Sequence, residues 1–148
     1  MSEQLTSRQT SVLAVLAAKP GARFAPVQIQ KLFFLIDENV ASEIGGKLFN
    51  FEPYDYGPFD KQVYSELEAL AQLGLVVIEN RQYGAQRRYS LSDRGQELGQ
   101  EKLSALQPDL GRYFQEVSDW VRSLSFSELV GAIYNAFPAM KANSIFKS

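Results

Sequence analysis

Residues 63–76, VYSELEALAQLGLV, decide the fold, because they contain a helix, its end and the start of a strand. Val63, Leu67 and Leu70 recur at the spacing of one helix face. Gly74 suits the left-handed backbone that commonly ends a helix, and the LVVI that begins directly after it is typical of a buried strand. The stretch therefore predicts a helix that packs on the core and leads straight into a strand.

A β-hairpin is predicted after that helix. The strand is followed by a polar segment, 79–86, with Gly84 inside it, and then by RYSL at 88–91. Two strands joined by a polar, glycine-containing segment are typical of a hairpin with a long or bulged tip. We call residues 76–91, the span of this hairpin, the wing.

Two helices are predicted at the start of the chain. Thr6 and Gln9 can cap the first helix reciprocally, since a hydroxyl and an amide three residues apart each reach the other's backbone N–H. Pro26 suits the first turn of the second helix, where its missing N–H has no partner to lose.

A strand and a third helix are expected next. Phe49 and Phe51 alternate with polar residues, which predicts a short half-buried strand between residues 47 and 54. Pro58, by the same first-turn argument, is expected to begin the third helix. That helix would then span 58–73.

Three further helices are predicted after the wing. Ser92 can cap a fourth helix, and Pro108 can begin a fifth. Ser125 and Glu128 have the spacing of a capping box at the start of a sixth.

The order helix, helix, strand, helix, hairpin predicts a mainly α (α+β) fold, a winged helix-turn-helix with a small β-hairpin wing and a C-terminal helical extension. We assign the winged-helix domain to residues 1–95 and the extension to 96–148. No linker or low-complexity stretch separates the two, so we expect a single folding unit.

Composition argues against most catalytic chemistry. The 148 residues include no Cys and no His, so the chain offers no thiol nucleophile, imidazole base or zinc ligand of these types. We expect a protein that is not an enzyme and binds no metal or cofactor. The apolar runs of the chain, such as Leu32 to Ile36, are far shorter than the roughly 20 residues that cross a bilayer, so we expect a cytoplasmic protein without membrane contact.

The net charge of −2 hides an uneven distribution. Residues 32–78 carry eight acidic residues against two lysines, whereas residues 79–94 carry four arginines against two acidic residues. No acidic spacing matches a calcium loop or a paired-carboxylate site, so we interpret the acidic set as a solvated face. Its members are Asp37, Glu38, Glu43, Glu52, Asp55 and Asp60.

The wing contains the candidate DNA-binding residues, which are Arg81, Tyr83, Arg87 and Arg88. Guanidinium groups suit phosphate, and a tyrosine ring adds stacking. The alternative is a solvated hairpin without a ligand. Acidic residues on the 58–73 helix weaken the DNA interpretation, because they would repel the phosphate backbone unless they face away from it.

Three segments resemble the SocA-like antitoxin domain called Panacea and the related YwgA-like proteins. They are IQKLFFL at 29–35, YDYGPF at 54–59 and the 67–76 segment, and the resemblance covers roughly residues 26–95. The 124–138 segment is also similar to the C-terminal helix of YwgA-like proteins. This resemblance implies an antitoxin, regulatory or defence-linked adaptor that acts through protein contacts and, in some relatives, through DNA.

The matching motifs mark a candidate partner surface formed by Lys31, Tyr54, Tyr56, Gly57 and Pro58. The protein partner would be a toxin or a regulated factor. The alternative is purely structural: Lys31 extends its ammonium to water, Gly57 permits a close turn and Pro58 begins a helix.

Two functions follow from the sequence. The first is a non-enzymatic antitoxin-like or regulatory adaptor that binds a protein, with DNA contact as an option. The alternative is a sequence-specific winged-helix transcription regulator that uses the 58–73 helix and the 76–91 wing.

A dimer face is a further prediction. Trp120 lies off the apolar line of its helix, so we interpret Trp120 and the tail residue Phe146 as the dimer face of a homodimer. The alternative is that both residues belong to ordinary core packing.

Overall fold

Helices make up most of the computed structural model, which describes residues 5–146 except for the side chain of Tyr83. The helices are α1 (Ser7–Ala17), α2 (Pro26–Val40), α3 (Lys61–Gln72), α4 (Asp93–Ser104), α5 (Pro108–Ser123) and α6 (Phe126–Ala136). The strands are β1 (Glu52–Tyr54), β2 (Gly57–Phe59), β3 (Val76–Glu79) and β4 (Arg88–Leu91). Short 3₁₀ turns occupy Ala41–Ile44, Arg81–Gln86 and Pro138–Lys141. The mainly helical α+β composition expected from the sequence is confirmed.

Helix ends follow the local signals closely. The Thr6 hydroxyl accepts from the backbone N–H of Gln9, whose side chain accepts from the Thr6 N–H. Ser125 and Glu128 form the same capping box at α6. These ends were predictable because a capping box involves residues only three apart.

The third helix begins later than expected, so the prediction that Pro58 begins it is wrong. Pro58 lies instead in β2, which pairs antiparallel with β1 to form a tight hairpin that we call the proline hairpin. Pro58 stands opposite Pro53, and this pairing is tolerated because neither residue has an N–H to lose from the ladder. Asp60 then caps α3 by accepting from the N–H of Gln62 at 2.9 Å.

The wing forms as expected, with β3 and β4 antiparallel from the Val76–Leu91 pair to the Glu79–Arg88 pair. Its tip is the 3₁₀ turn rather than a bulge. Phe24, just before α2, adds a bridge that the sequence did not suggest, since Phe24 and Tyr89 exchange two backbone hydrogen bonds of 2.9 Å. The wing is thus attached to the segment between α1 and α2.

The core is centred on α2, whose apolar face is fully buried. Around it, α3, α5 and α6 contribute buried residues, including Leu67, Leu70, Phe114, Val121 and Ile133. The segment after residue 95 packs on the segment before it, because α4 lies directly along α1. At Gly99 the two helices are so close that an added β-carbon would lie 2.5 Å from the Leu13 carbonyl oxygen, so only glycine fits there.

Asp37 corrects the expected acidic face, because its side chain is buried. Its two carboxylate oxygens accept from the N–H groups of Leu48 and Phe49 at 2.8 and 2.9 Å. Burial raises the pKa of this carboxyl even though both hydrogen bonds act in the opposite direction. These bonds also explain why the predicted 47–54 strand is confined to Glu52–Tyr54: the preceding backbone is bonded to α2 rather than to a strand.

Candidate functional site

A cavity of about 540 Å³ lies beside the N-terminal half of α2 and brings together the motif residues and the wing. We call it the Lys31 cavity. Its walls come from five parts of the chain: the start of α2, the proline hairpin, α3, the wing, and the connection from α5 into α6. The lining includes Lys31, Tyr54, Tyr56 and Gly57 from the candidate partner surface and Arg88 from the wing.

Lys31 is the central polar residue of this site. Its side chain is only 3 % exposed, so the alternative in which it extends to water is wrong. Its Nζ donates to the carbonyl oxygen of Pro58 at 3.3 Å. No carboxylate pairs with it among residues 5–146. Because burial disfavours the charged form, the pKa of Lys31 is lowered to about 7.

Gly57 lets the proline hairpin come this close to Lys31. Its φ of +103° is one that residues with a side chain rarely adopt. A β-carbon at this position would lie 3.3 Å from Cε1 of Tyr134 and 3.6 Å from Nζ of Lys31. Gly57 thus serves both the turn and the packing over the lysine. Pro58 contributes through its carbonyl oxygen rather than through the start of a helix.

Gln30 fixes the hairpin to α2, a role that the sequence analysis missed. It is 1 % exposed, and its amide makes two hydrogen bonds of 3.0 Å with the backbone of Asp60, donating to the carbonyl oxygen and accepting from the N–H. The available signal was a glutamine next to Lys31 in an otherwise apolar helix face. Such a residue must find a partner when it is buried.

The tail holds the hairpin from the other side. The N–H of Ile145 donates to the carbonyl oxygen of Asp55 at 3.0 Å, and the Ser144 hydroxyl lies 3.3 Å from the same oxygen. Asn143 donates to the carbonyl oxygen of Pro53 at 3.2 Å. The turn of the hairpin is therefore bonded to a segment about 90 residues away along the chain.

Exposed aromatic side chains border the cavity. Tyr54, Tyr56 and Phe126 are 54, 41 and 43 % exposed, and we call these three residues the aromatic rim. The rings of Tyr56 and Phe126 meet edge to face with centroids 5.1 Å apart, and Tyr54 stacks on Phe59 at 5.0 Å. The contacts order the rim, while large apolar surfaces remain open to solvent.

The wing arginines are engaged within the chain. Arg81 donates to both carboxylate oxygens of Glu68 at 2.8 Å, and Arg87 donates to the carbonyl oxygen of Arg81. Arg88 donates to the carbonyl oxygens of Ala85 and Arg87 and lines the Lys31 cavity. The candidate role of Tyr83 falls on a side chain outside the described part of the structure.

The two candidate dimer residues, Trp120 and Phe146, have different surroundings. Trp120 is 39 % exposed on α5. The Phe146 ring contacts the rings of Phe126 and Tyr134, with centroids 6.0 and 6.4 Å apart, so it packs on α6 of its own chain. The homodimer through these residues stays a prediction.

Comparison of the chain with protein-family models, curated proteins and solved structures gives no significant match. Within residues 5–146, no helix is both long enough and apolar enough to cross a membrane. The same residues contain no group of three or more Asp or Glu side chains placed to hold a metal ion.

Proposed function

We propose that this chain is a non-enzymatic regulatory adaptor of the antitoxin type, with the Panacea-like and YwgA-like winged-helix fold, and that it acts by binding a protein partner. The aromatic rim is the observation that carries this proposal. Exposed tyrosine and phenylalanine side chains around a concave site are typical of protein contact surfaces. The partner is a toxin or a regulated factor.

Winged-helix architecture has support in the order of the elements. Helix α1 is followed by the Phe24 bridge to β4, then by α2, α3 and the wing. The bridge between Phe24 and Tyr89 adds a third backbone segment beside β4 of the wing. The proline hairpin, inserted between α2 and α3, supplies the partner surface.

DNA binding has less support as the main function. Its proposed reading helix starts at Lys61 rather than residue 58, and Glu68 on that helix neutralises Arg81. Phosphate affinity depends on cations that are free to replace counterions. Arg81, which is paired with Glu68, is poorly suited to supply it.

The test is quantitative affinity purification from a lysate of the source organism. The baits are the wild type, the rim variant Tyr54→Ala with Tyr56→Ala, and a matched control, Leu73→Ala with Val77→Ala, whose residues are both 43 % exposed and lie outside the cavity. We expect one stoichiometric protein with the wild type and the control, and about tenfold less with the rim variant.

Two outcomes would reject the adaptor proposal: recovery of no stoichiometric protein, or equal recovery by the rim variant when its circular dichroism is unchanged. Coexpression with the captured protein separates the two partner classes, since a toxin arrests growth that the wild-type chain restores. Retention on DNA tests the alternative, because Arg87→Glu with Arg88→Glu should abolish retention only if the wing contacts phosphate.

A further inference from the structure

Lys31 has hydrogen-bond donors that the described part of the chain, residues 5–146, leaves available. An ammonium group carries three N–H donors, and Pro58 accepts one of them at 3.3 Å. Asp55 lines the same cavity, yet no ion pair joins it to Lys31 among residues 5–146. A buried cation without an anion is costly, so an anion that enters the cavity gains more here than at the surface.

The other residues that line the Lys31 cavity indicate which kind of anionic molecule would fit in it. Arg88 adds a second cationic side chain to the wall, while Val27, Phe59 and Leu129 supply apolar surface. A cavity of about 540 Å³ has the size of a small-molecule site. Walls from five parts of the chain suit a compact molecule better than an extended peptide, which needs a groove open at both ends.

We propose that the Lys31 cavity binds a small carboxylic acid with an aromatic or branched aliphatic body. The carboxylate lies at Lys31 and Arg88, and the body packs on Val27, Phe59 and Leu129. The aromatic rim lines the same cavity, but binding of the acid does not require a protein partner.

Proton uptake is a consequence that distinguishes this site from a simple apolar pocket. Burial lowers the pKa of Lys31 to about 7, and a bound carboxylate favours the charged form again. Binding therefore takes up a proton near and above pH 7, and the affinity falls as the pH rises. The other titratable groups around the cavity are Tyr54, Asp55, Tyr56, Tyr64, Arg88 and Tyr134. Burial raises the pKa of Tyr64 to about 12, far from this range.

Isothermal titration calorimetry of the full chain tests the site with sodium phenylacetate, sodium 3-methylbutanoate and the neutral analogue phenylacetamide. At pH 6, where carboxylates are ionised, we expect at least one of the acids to bind and the amide to bind at least about tenfold more weakly than phenylacetate. Lys31→Met should weaken acid binding by at least about tenfold. Lys47→Met, which removes an exposed lysine outside the cavity, should leave it unchanged.

Wild-type measurements keep the test independent of how well Lys31→Met folds. Titrations at pH 8 in two buffers of different ionisation enthalpy report proton uptake directly, and Arg88→Gln gives a second variant of the same site. Failure of both acids to bind at millimolar concentration would overturn the proposal. Equal binding of phenylacetate and its amide, proton release on binding, or full affinity in a folded Lys31→Met protein would also overturn it.

Discussion

The two hairpins, residues 52–59 and 76–91, differ in length and in what holds them. The proline hairpin has a two-residue turn, and its backbone carbonyl oxygens accept from Lys31 on α2 and from Asn143 and Ile145 in the tail. The wing tip has bonds within itself, from Arg87 and Arg88 to nearby carbonyl oxygens, and an exposed ion pair from Arg81 to Glu68 on α3. The proline hairpin is bound through its backbone to distant elements, whereas the wing tip reaches α3 through an exposed side-chain pair.

This difference indicates where each hairpin gains its stability. A two-stranded hairpin alone is marginal in water, so it depends on what it packs against. The proline hairpin lies over a buried lysine and a buried glutamine, whereas the Arg81–Glu68 pair at the wing tip is 49 and 41 % exposed. Substitutions around the first hairpin should therefore change the free energy of unfolding much more than substitutions at the wing tip.

The largest change in the free energy of unfolding is expected when Lys31 is substituted, and the size of this change depends on pH. The folded chain holds the Lys31 proton with a pKa of about 7, whereas the unfolded chain holds it up to about 10.5. Between these values the unfolded state binds more protons, so the wild type gains stability as the pH rises. Lys31→Met lacks this dependence and should be more stable than the wild type at pH 6, and its advantage in unfolding free energy should fall by about 4 kcal/mol between pH 6 and pH 10.

Urea unfolding at pH 6, 8 and 10 measures this difference. Lys47→Met is the matched control, because its side chain is 63 % exposed and its effect should not change across the same range. Parallel pH profiles for the wild type and Lys31→Met would show that the ammonium is not buried as the structure has it.

A second effect is expected at the turn of the proline hairpin. Gly57→Ala should cost about 2 kcal/mol, from backbone strain and from crowding against Tyr134 and Lys31. Gly45→Ala provides the control, since its φ is +91° but no atom lies within 4 Å of the added β-carbon. Equal losses of unfolding free energy in the two variants would show that the cost of Gly57→Ala comes from backbone strain alone. Crowding against Tyr134 and Lys31 would then contribute nothing.

The tail should contribute less to the free energy of unfolding than the turn of the proline hairpin does. Ser144→Ala removes the acceptor of the Tyr134 hydroxyl at 2.6 Å and the donor to the Asp55 carbonyl oxygen, for about 1 kcal/mol. Hydrogen exchange at the Ile145 amide, which is bonded to that oxygen, should become faster. Ser104→Ala, at an exposed position at the end of α4, should leave the Ile145 exchange rate unchanged. Slow exchange in both variants would show that the serine hydroxyl does not hold the tail.

The smallest effect is expected at the wing tip. Arg81→Ala should cost no more than about 0.5 kcal/mol, because an exposed ion pair gains little in water. A double-mutant cycle with Glu68→Ala, measured by urea unfolding, isolates the pair. A coupling free energy above about 1 kcal/mol would contradict the expectation that the wing tip adds much less stability than the proline hairpin.

Sequence patterns predicted the helices and the wing because their signals are local. The i, i+4 spacing of Val63 and Leu67 and the capping boxes at α1 and α6 act within about one helical turn. The same reasoning failed at Pro58, since proline suits both a first helical turn and an edge strand, and local rules do not choose between them. The choice was made by Gln30, which bonds to the backbone of Asp60 from 30 residues away.

The sequence by itself determined the helical order, the wing, the absence of Cys and His chemistry, and the motif residues worth examining. Only the tertiary structure decided that Lys31 is buried with no acidic partner among residues 5–146, that Arg88 reaches the same cavity, and that Asp37 bonds to backbone instead of facing water. The physical reason is that helix caps and periodicity depend on neighbours a few residues apart. Burial and charge environment depend on elements that only the folded chain brings together.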